Sequence, residues 1–179
     1  QASGEIQTPL SDDDILATID KGAFQGGRQS RFWTLDPIDG TKGFLRGEQY
    51  AVCLALIVDG NVELGVLGCP NLPCDKSKPK PADGEIRTST MDGLGVMFVA
   101  LRGHGAYSVP IDDVHAPLVP VCMRDLQGDI RQATFCESVD AGHSSLGTNA
   151  RIAELLGMGD RHVRMDSQAK YGSISRGDG

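Results

Sequence analysis

Apolar and polar positions follow two regimes along this chain. From Arg31 to Val109 the apolar residues form short runs punctuated by glycine, aspartate and asparagine, the mark of strands joined by tight turns. The clearest element is a hairpin: Ala51 to Val58 reads as a strand, Asp59-Gly60-Asn61 as the turn and Val62 to Leu67 as the return strand. Its first arm is apolar throughout, which predicts cover on both faces. Gly95 to Leu101 and Ala106 to Val109 form a second predicted pair joined through Gly103 and Gly105, followed by a connection over 110–120. Nearer the start, Ser11 to Asp14 place an N-cap and first-turn acids ahead of Ile15, Leu16 and Ile19, predicting a short helix. Gly22, Gly26 and Gly27 then read as a loop. Arg31 to Leu35 reads as a strand ending at Asp36, since Pro37 forbids simple continuation.

The second regime alternates strands with helices. Ala133 to Ser138 reads as a strand, and Ser144 or Ser145 as the cap of a helix running to about Leu156 and closed by Gly157 and Gly159. Val163 to Asp166 reads as another strand, with a helix starting near Ser167. Antiparallel pairs followed by this alternation predict a layered α/β or α+β fold, without repeats or an internal domain boundary. A first portion, about 1–110, carries the sheet, and 111–179 begins an α/β portion.

Composition narrows the function. The 179 residues fit one domain, and 40% apolar content supplies a core. Twenty-three glycines against three tyrosines and one tryptophan reinforce the reading of many tight turns. A formal net charge of -7 argues against a nucleic-acid partner, which requires concentrated positive surface. The densest cationic run, Lys76 to Lys80, is interrupted by Ser77 and Pro79 and reads as part of an exposed loop over 74–85. Of the five cysteines only Cys69 and Cys74 are close in sequence, and no second ligand pair accompanies them to make a zinc site. Cys53 and Cys136 read as small core residues, and a reducing, cytoplasmic setting is the default. No apolar run approaches membrane-spanning length and the opening segment does not resemble a signal peptide, so no membrane partner is expected. Gln1 is not an initiator methionine and Arg176 to Gly179 stop without a closing element, which suggests a truncated sequence, a processed chain or one part of a larger fold.

The candidate chemistry centres on Asp36-Pro37-Ile38-Asp39-Gly40-Thr41. Carboxylates separated by Pro37 and Ile38 at a strand end can converge once the proline bends the chain. Hard divalent ions take oxygen ligands, which these carboxylates and the Ile38 carbonyl can supply. Gly40 admits close backbone approach, and Thr41 offers a hydroxyl to water or phosphate. On residues alone, Asp-Pro and Asp-Gly are also common turn pairs, and Asp36 reads equally as closing an Asx-turn. Further on, a second constellation begins at Glu137 and includes His143, Ser144 and Ser145; His143 precedes a predicted helix start, where unpaired amides favour an anion. Lys170, from its spacing, reads as part of a solvated helix face. Arg46 and Arg102 read as structural salt-bridge partners, and Asp112-Asp113 as a solvated loop.

The hexapeptide from Asp36 to Thr41 resembles the signature of the lithium-sensitive, magnesium-dependent phosphatases that include inositol monophosphatase and fructose 1,6-bisphosphatase relatives. The longer stretch from Phe32 through Lys42-Gly43-Phe44-Leu45-Arg46-Gly47-Glu48-Gln49 to Leu72 is similar to the family's fungal 3'(2'),5'-bisphosphate nucleotidase branch. The resemblance covers nearly the whole chain and is weakest over 73–132. It implies a layered α-β-α-β-α fold, and Mg2+ held by Asp36, Asp39 and the Ile38 carbonyl. Asp36 and Thr41 would be catalytic, with Thr41 orienting a water. His143, Ser167 and Lys170, the last two within Asp166-Ser167-Gln168-Ala169-Lys170-Tyr171, would join Thr41 in holding the substrate. The implied substrate is a small nucleotide bisphosphate, adenosine 3',5'-bisphosphate, hydrolysed to AMP and phosphate, with adenosine 3'-phosphate 5'-phosphosulfate as a further substrate. Beyond Tyr171 the sequence departs from the family's more apolar helix. The family's further metal-binding carboxylates, upstream and in a downstream Trp-Asp motif, have no counterpart here. An inositol or sugar phosphatase, which would explain the acidic loop but not the 42–49 extension, is one rival; a catalytically silent chain is the other.

Overall fold

The computed structural model describes residues 11–74, 94–113, 115–139, 146–159 and 161–178. The predicted first helix is α1, Asp12–Lys21, and it starts where the sequence places its cap. Ser11 Oγ accepts from the Asp14 amide at 3.2 Å while Asp14 Oδ2 accepts from the Ser11 amide at 3.1 Å, a reciprocal box that satisfies two otherwise orphaned donors. Asp12, Asp13 and Asp14 add negative charge where the helix dipole favours it.

An antiparallel sheet follows, in the spatial order β1-β2-β3-β4-β5-β6. Its strands are β1 (Arg31–Asp39), β2 (Ala51–Val58), β3 (Asn61–Pro73), β4 (Leu94–Leu101), β5 (Gly105–Pro110) and β6 (Val119–Pro120). The hairpin forms as the pattern predicts, with one refinement: Asn61 pairs with Val58, so the turn is Asp59-Gly60 alone. Both turn residues have positive φ, 49° and 78°, which matches the twist of the flanking strands. The return strand runs on to Pro73 instead of ending at Leu67, because β4 pairs along it. The predicted connection over 110–120 contains β6, which pairs with β5.

Two expectations are corrected. β1 does not end at Asp36. It continues to Asp39 across a register shift between Asp36 and Asp39, a bulge that accommodates a proline with no amide to donate to the ladder. Nor is β2 sealed on both faces: most of it is half-buried and Val52 is 36% exposed. Its apolar run suits a strand flanked by β1 and β3, but α4 (Ala169–Ser175) covers the sheet over β3. On neighbouring β1, Trp33 and Leu35 are 53% and 57% exposed.

The second regime forms a parallel pair, β7 (Phe135–Glu137) and β8 (His162–Arg164), connected through α3 (Leu146–Leu156). Parallel neighbours require such a crossover. Gly157, at φ 66°, closes α3 as predicted. The core joins the regimes: Ala51, Cys69, Leu72, Val96 and Phe98 from the sheet meet Met165 and Ala169 from the β8–α4 segment. Gly172 brings α4 very close to the sheet, since a Cβ there would lie 2.6 Å from Phe98 Cε2. Small residues thus seat this helix, in the stretch where the sequence departs from the family's more apolar one, and it ends at Ser175. Arg176 follows it, buried, donating from Nη1 to the Pro73 carbonyl at 2.7 Å and from Nη2 to Asp178 at 2.6 Å. Most of loop 74–85 lies outside the described residues. Among the described residues, no helix is long and apolar enough to cross a membrane.

Candidate functional site

The bulge that ends β1 delivers the acidic loop to a cavity of about 800 Å³. Asp39 and Thr41 stand on one wall, and Ser167 and Lys170 on another. Between Asp39 and Thr41, Gly40 adopts φ 82° and starts the short helix α2, Thr41–Arg46. A left-handed residue is needed there to turn from strand to helix, and glycine supplies it without strain. Gly40 also packs so tightly on the facing turn that a Cβ would lie 2.6 Å from Ser167 Cβ.

The acidic residues divide between neighbouring cavities. Asp39, half-buried, borders both, whereas the exposed Asp36 faces a second cavity of about 570 Å³ with Cys53, Leu67, Phe98 and Tyr171. Asp36 Oδ1 accepts from the Ile38 amide at 3.2 Å, realising the Asx-turn alternative. The Asp39 carboxylate accepts from the Gln168 amide, joining the acidic loop directly to the start of α4. Thr41 Oγ1 donates to the Ile38 carbonyl at 3.5 Å. These donors are all hard oxygens within one short loop, a set that fits a divalent cation such as magnesium. Among the described residues, no cluster of three or more His, Cys, Asp or Glu completes a metal shell. Negative charge on the loop is felt nearby: burial first, then Asp39 and Asp36, push the Cys53 thiol up to about 11.

The facing turn is held in an unusual shape. Ser167 has φ 63°, a left-handed conformation costly for a residue with a side chain. Its Oγ accepts from the Ala169 amide at 3.2 Å, and Lys170 Nζ donates to the Ser167 carbonyl at 3.0 Å. Lys170 is half-buried in the cavity wall, not on the solvated helix face its spacing suggested. His143, Ser144 and Ser145 lie outside the described residues.

Of the constellation that begins at Glu137, that residue is described, and the partners that hold it escape sequence reasoning. Glu137 lines the cavity at 4% exposure, its carboxylate accepting from Asn149 Nδ2 at 2.8 Å and Arg164 Nε at 3.0 Å. Asn149, then Arg164 and His162, hold the Glu137 carboxyl below its ordinary pKa. His162 stacks on Phe135 with centroids 5.8 Å apart. The partners of Glu137 come from α3 and β8, which no local pattern links. Arg46 and Arg102 are ion-pair partners as expected, Arg46 with Glu48 and Asp166, and Arg102 with Glu63 at 3.2 Å. Asp112 and Asp113 are exposed.

A 3'(2'),5'-bisphosphate nucleotidase of Emericella nidulans is 49% identical over 170 residues, covering 94% of this chain and 48% of that protein. One from Schizosaccharomyces pombe is 45% identical over 175 residues, covering 98% of this chain and 46% of its own length. The chain therefore spans about half the length of the curated relatives it matches. Among solved structures, Thermotoga maritima IMPase superimposes with TM-score 0.57 at 16% identity, covering 98% of this chain and 62% of its own. Mycobacterium tuberculosis SuhB gives 0.55 at 21% identity, with coverages of 92% and 58%. These likenesses show the shared fold. The model of the inositol monophosphatase family, a family of metal-dependent phosphatases, matches residues 2–179, and the chain belongs to that family.

Proposed function

We propose that this protein removes the 3'-phosphate from adenosine 3',5'-bisphosphate with magnesium, releasing AMP and phosphate, and that it also accepts adenosine 3'-phosphate 5'-phosphosulfate. The observation that carries the reading is the single cavity in which Asp39 and Thr41 face Ser167 and Lys170. Relatives named 3'(2'),5'-bisphosphate nucleotidase, 49% and 45% identical, support it.

Asp36, Asp39 and the Ile38 carbonyl would hold magnesium. The chemistry magnesium supplies when bound is polarisation of phosphoryl oxygens and acidification of water. Thr41 is too weak an acid to act as a base by itself; its hydroxyl, already directed at the Ile38 carbonyl, would orient the attacking water. Lys170 would place a point charge on the second phosphate, and Ser167 would contact the AMP portion, a role shared with His143 through the family resemblance. A reducing, cytoplasmic setting belongs to the same reading.

The test is phosphate release from adenosine 3',5'-bisphosphate, with and without magnesium, beside inositol 1-phosphate. The expected result is magnesium-dependent release from the nucleotide, reduced about 100-fold or more by Asp39→Asn. Release from inositol 1-phosphate alone would overturn the substrate.

A further inference from the structure

The walls of the large cavity are fastened together by a contact between segments 120 residues apart in sequence. Arg46, the last residue of α2, donates from Nη2 to Asp166 and from Nε to Glu48 at 2.6 Å. Asp166 is 5% exposed, so its charge is removed from water and needs a cation. It immediately precedes Ser167, whose left-handed φ of 63° persists only if its surroundings enforce it. Two further contacts bind the same turn to the acidic loop, the Gln168 amide on Asp39 and Gly40 against Ser167. Gly43 leaves α2 room beside Asp166, whose carboxylate oxygen would lie 2.9 Å from a Cβ there.

We propose that Arg46 is a positioning residue. By neutralising Asp166 it holds the Ser167 turn against the acidic loop and thereby sets the affinity for nucleotide. Glu48 fixes the guanidinium plane, so the fork engages carboxylates on both sides at once, which a lysine ammonium cannot reproduce. Loss of Arg46 leaves a buried carboxylate uncompensated, and relief comes from moving the turn toward water. The inference rests on the proposed nucleotide role of Ser167 and Lys170.

The experiment pairs calorimetric titration of adenosine 5'-monophosphate with hydrogen exchange at the Gln168 amide, for the wild type, Arg46→Met, Arg46→Lys, Asp166→Asn and the Met/Asn double variant. Arg46→Met should weaken binding about tenfold and speed exchange at Gln168, with partial recovery in Arg46→Lys. Because Asp166→Asn removes the charge that Arg46 serves, the double variant should bind no worse than the weaker single. Additive losses, or an Arg46→Met protein that binds like the wild type, overturn the positioning role. A wild type that binds no AMP sinks the nucleotide reading, whereas Gln168 exchange unchanged by Arg46→Met sinks the latch itself.

Discussion

The antiparallel sheet and the β7–α3–β8–α4 segment are stabilised over different ranges of sequence. In the sheet, each strand pairs with its sequence neighbour, and β2–β3 and β4–β5 are joined by tight turns, as at Asp59-Gly60. In the later segment, the decisive partners come from afar: Asp166 is held by Arg46, the Gln168 amide by Asp39, and Gly172 lies under Phe98. A ladder built from neighbours can tolerate local change where a tight turn secures the pairing. A site assembled from distant contacts transmits a change at one residue to another segment.

Breaking the seam between the regions should have the largest effect. Phe98 is 5% exposed and contacts both the sheet core and Gly172. Phe98→Ala is expected to cost about 3–5 kcal/mol in denaturant unfolding, and sheet and α4 signals should be lost in one transition. Separate transitions would show that the regions are energetically independent.

A change at the cavity should sharpen the contrast. Gly40→Ala combines a strained φ with a close approach to Ser167, and should cost about 1–3 kcal/mol. Amide exchange should accelerate at Gln168 while Leu54 and Val66, paired within the hairpin, keep their protection. Equal loss in both places would erase the distinction between local and distant stabilisation.

The smallest effect concerns the thiols. Burial, followed by the nearby thiol of Cys53, pushes Cys69 up to about 12, and Cys53 lies at about 11. Iodoacetamide at pH 8 should therefore modify exposed Cys122 well before either, as peptide mass spectrometry would show. Both raised values favour the folded state fully below the ordinary thiol pKa of 9.0, and that contribution is lost as pH rises toward 11 and 12.

What could be read in advance follows the same division. The capping box at Ser11 and Asp14, the Asp59-Gly60 hairpin and the Gly157 stop are written within a few residues, so pattern alone located them. The Asp36–Thr41 loop was legible as a motif, but not the bulge that carries β1 through it or the division of Asp36 and Asp39 between cavities. Spacing alone puts Lys170 on a solvated face, because helical spacing does not report that Ser167 turns left-handed and draws the lysine inward, whereas the family resemblance puts it at the substrate. Glu137 and Arg46 drew notice, yet their partners Asn149, Arg164 and Asp166 are fixed only when separate elements meet.

Trp33 gives the protein an optical reporter of its own. It is the one tryptophan of the 179-residue sequence, about half accessible to solvent, on the strand that leads into Asp36. An event that tightens or loosens that strand changes the indole's contact with water, and hence its emission wavelength and susceptibility to iodide quenching. Ligand titrations on the acidic loop can thus be followed by intrinsic fluorescence, without a dye to disturb the closely packed glycines beside it.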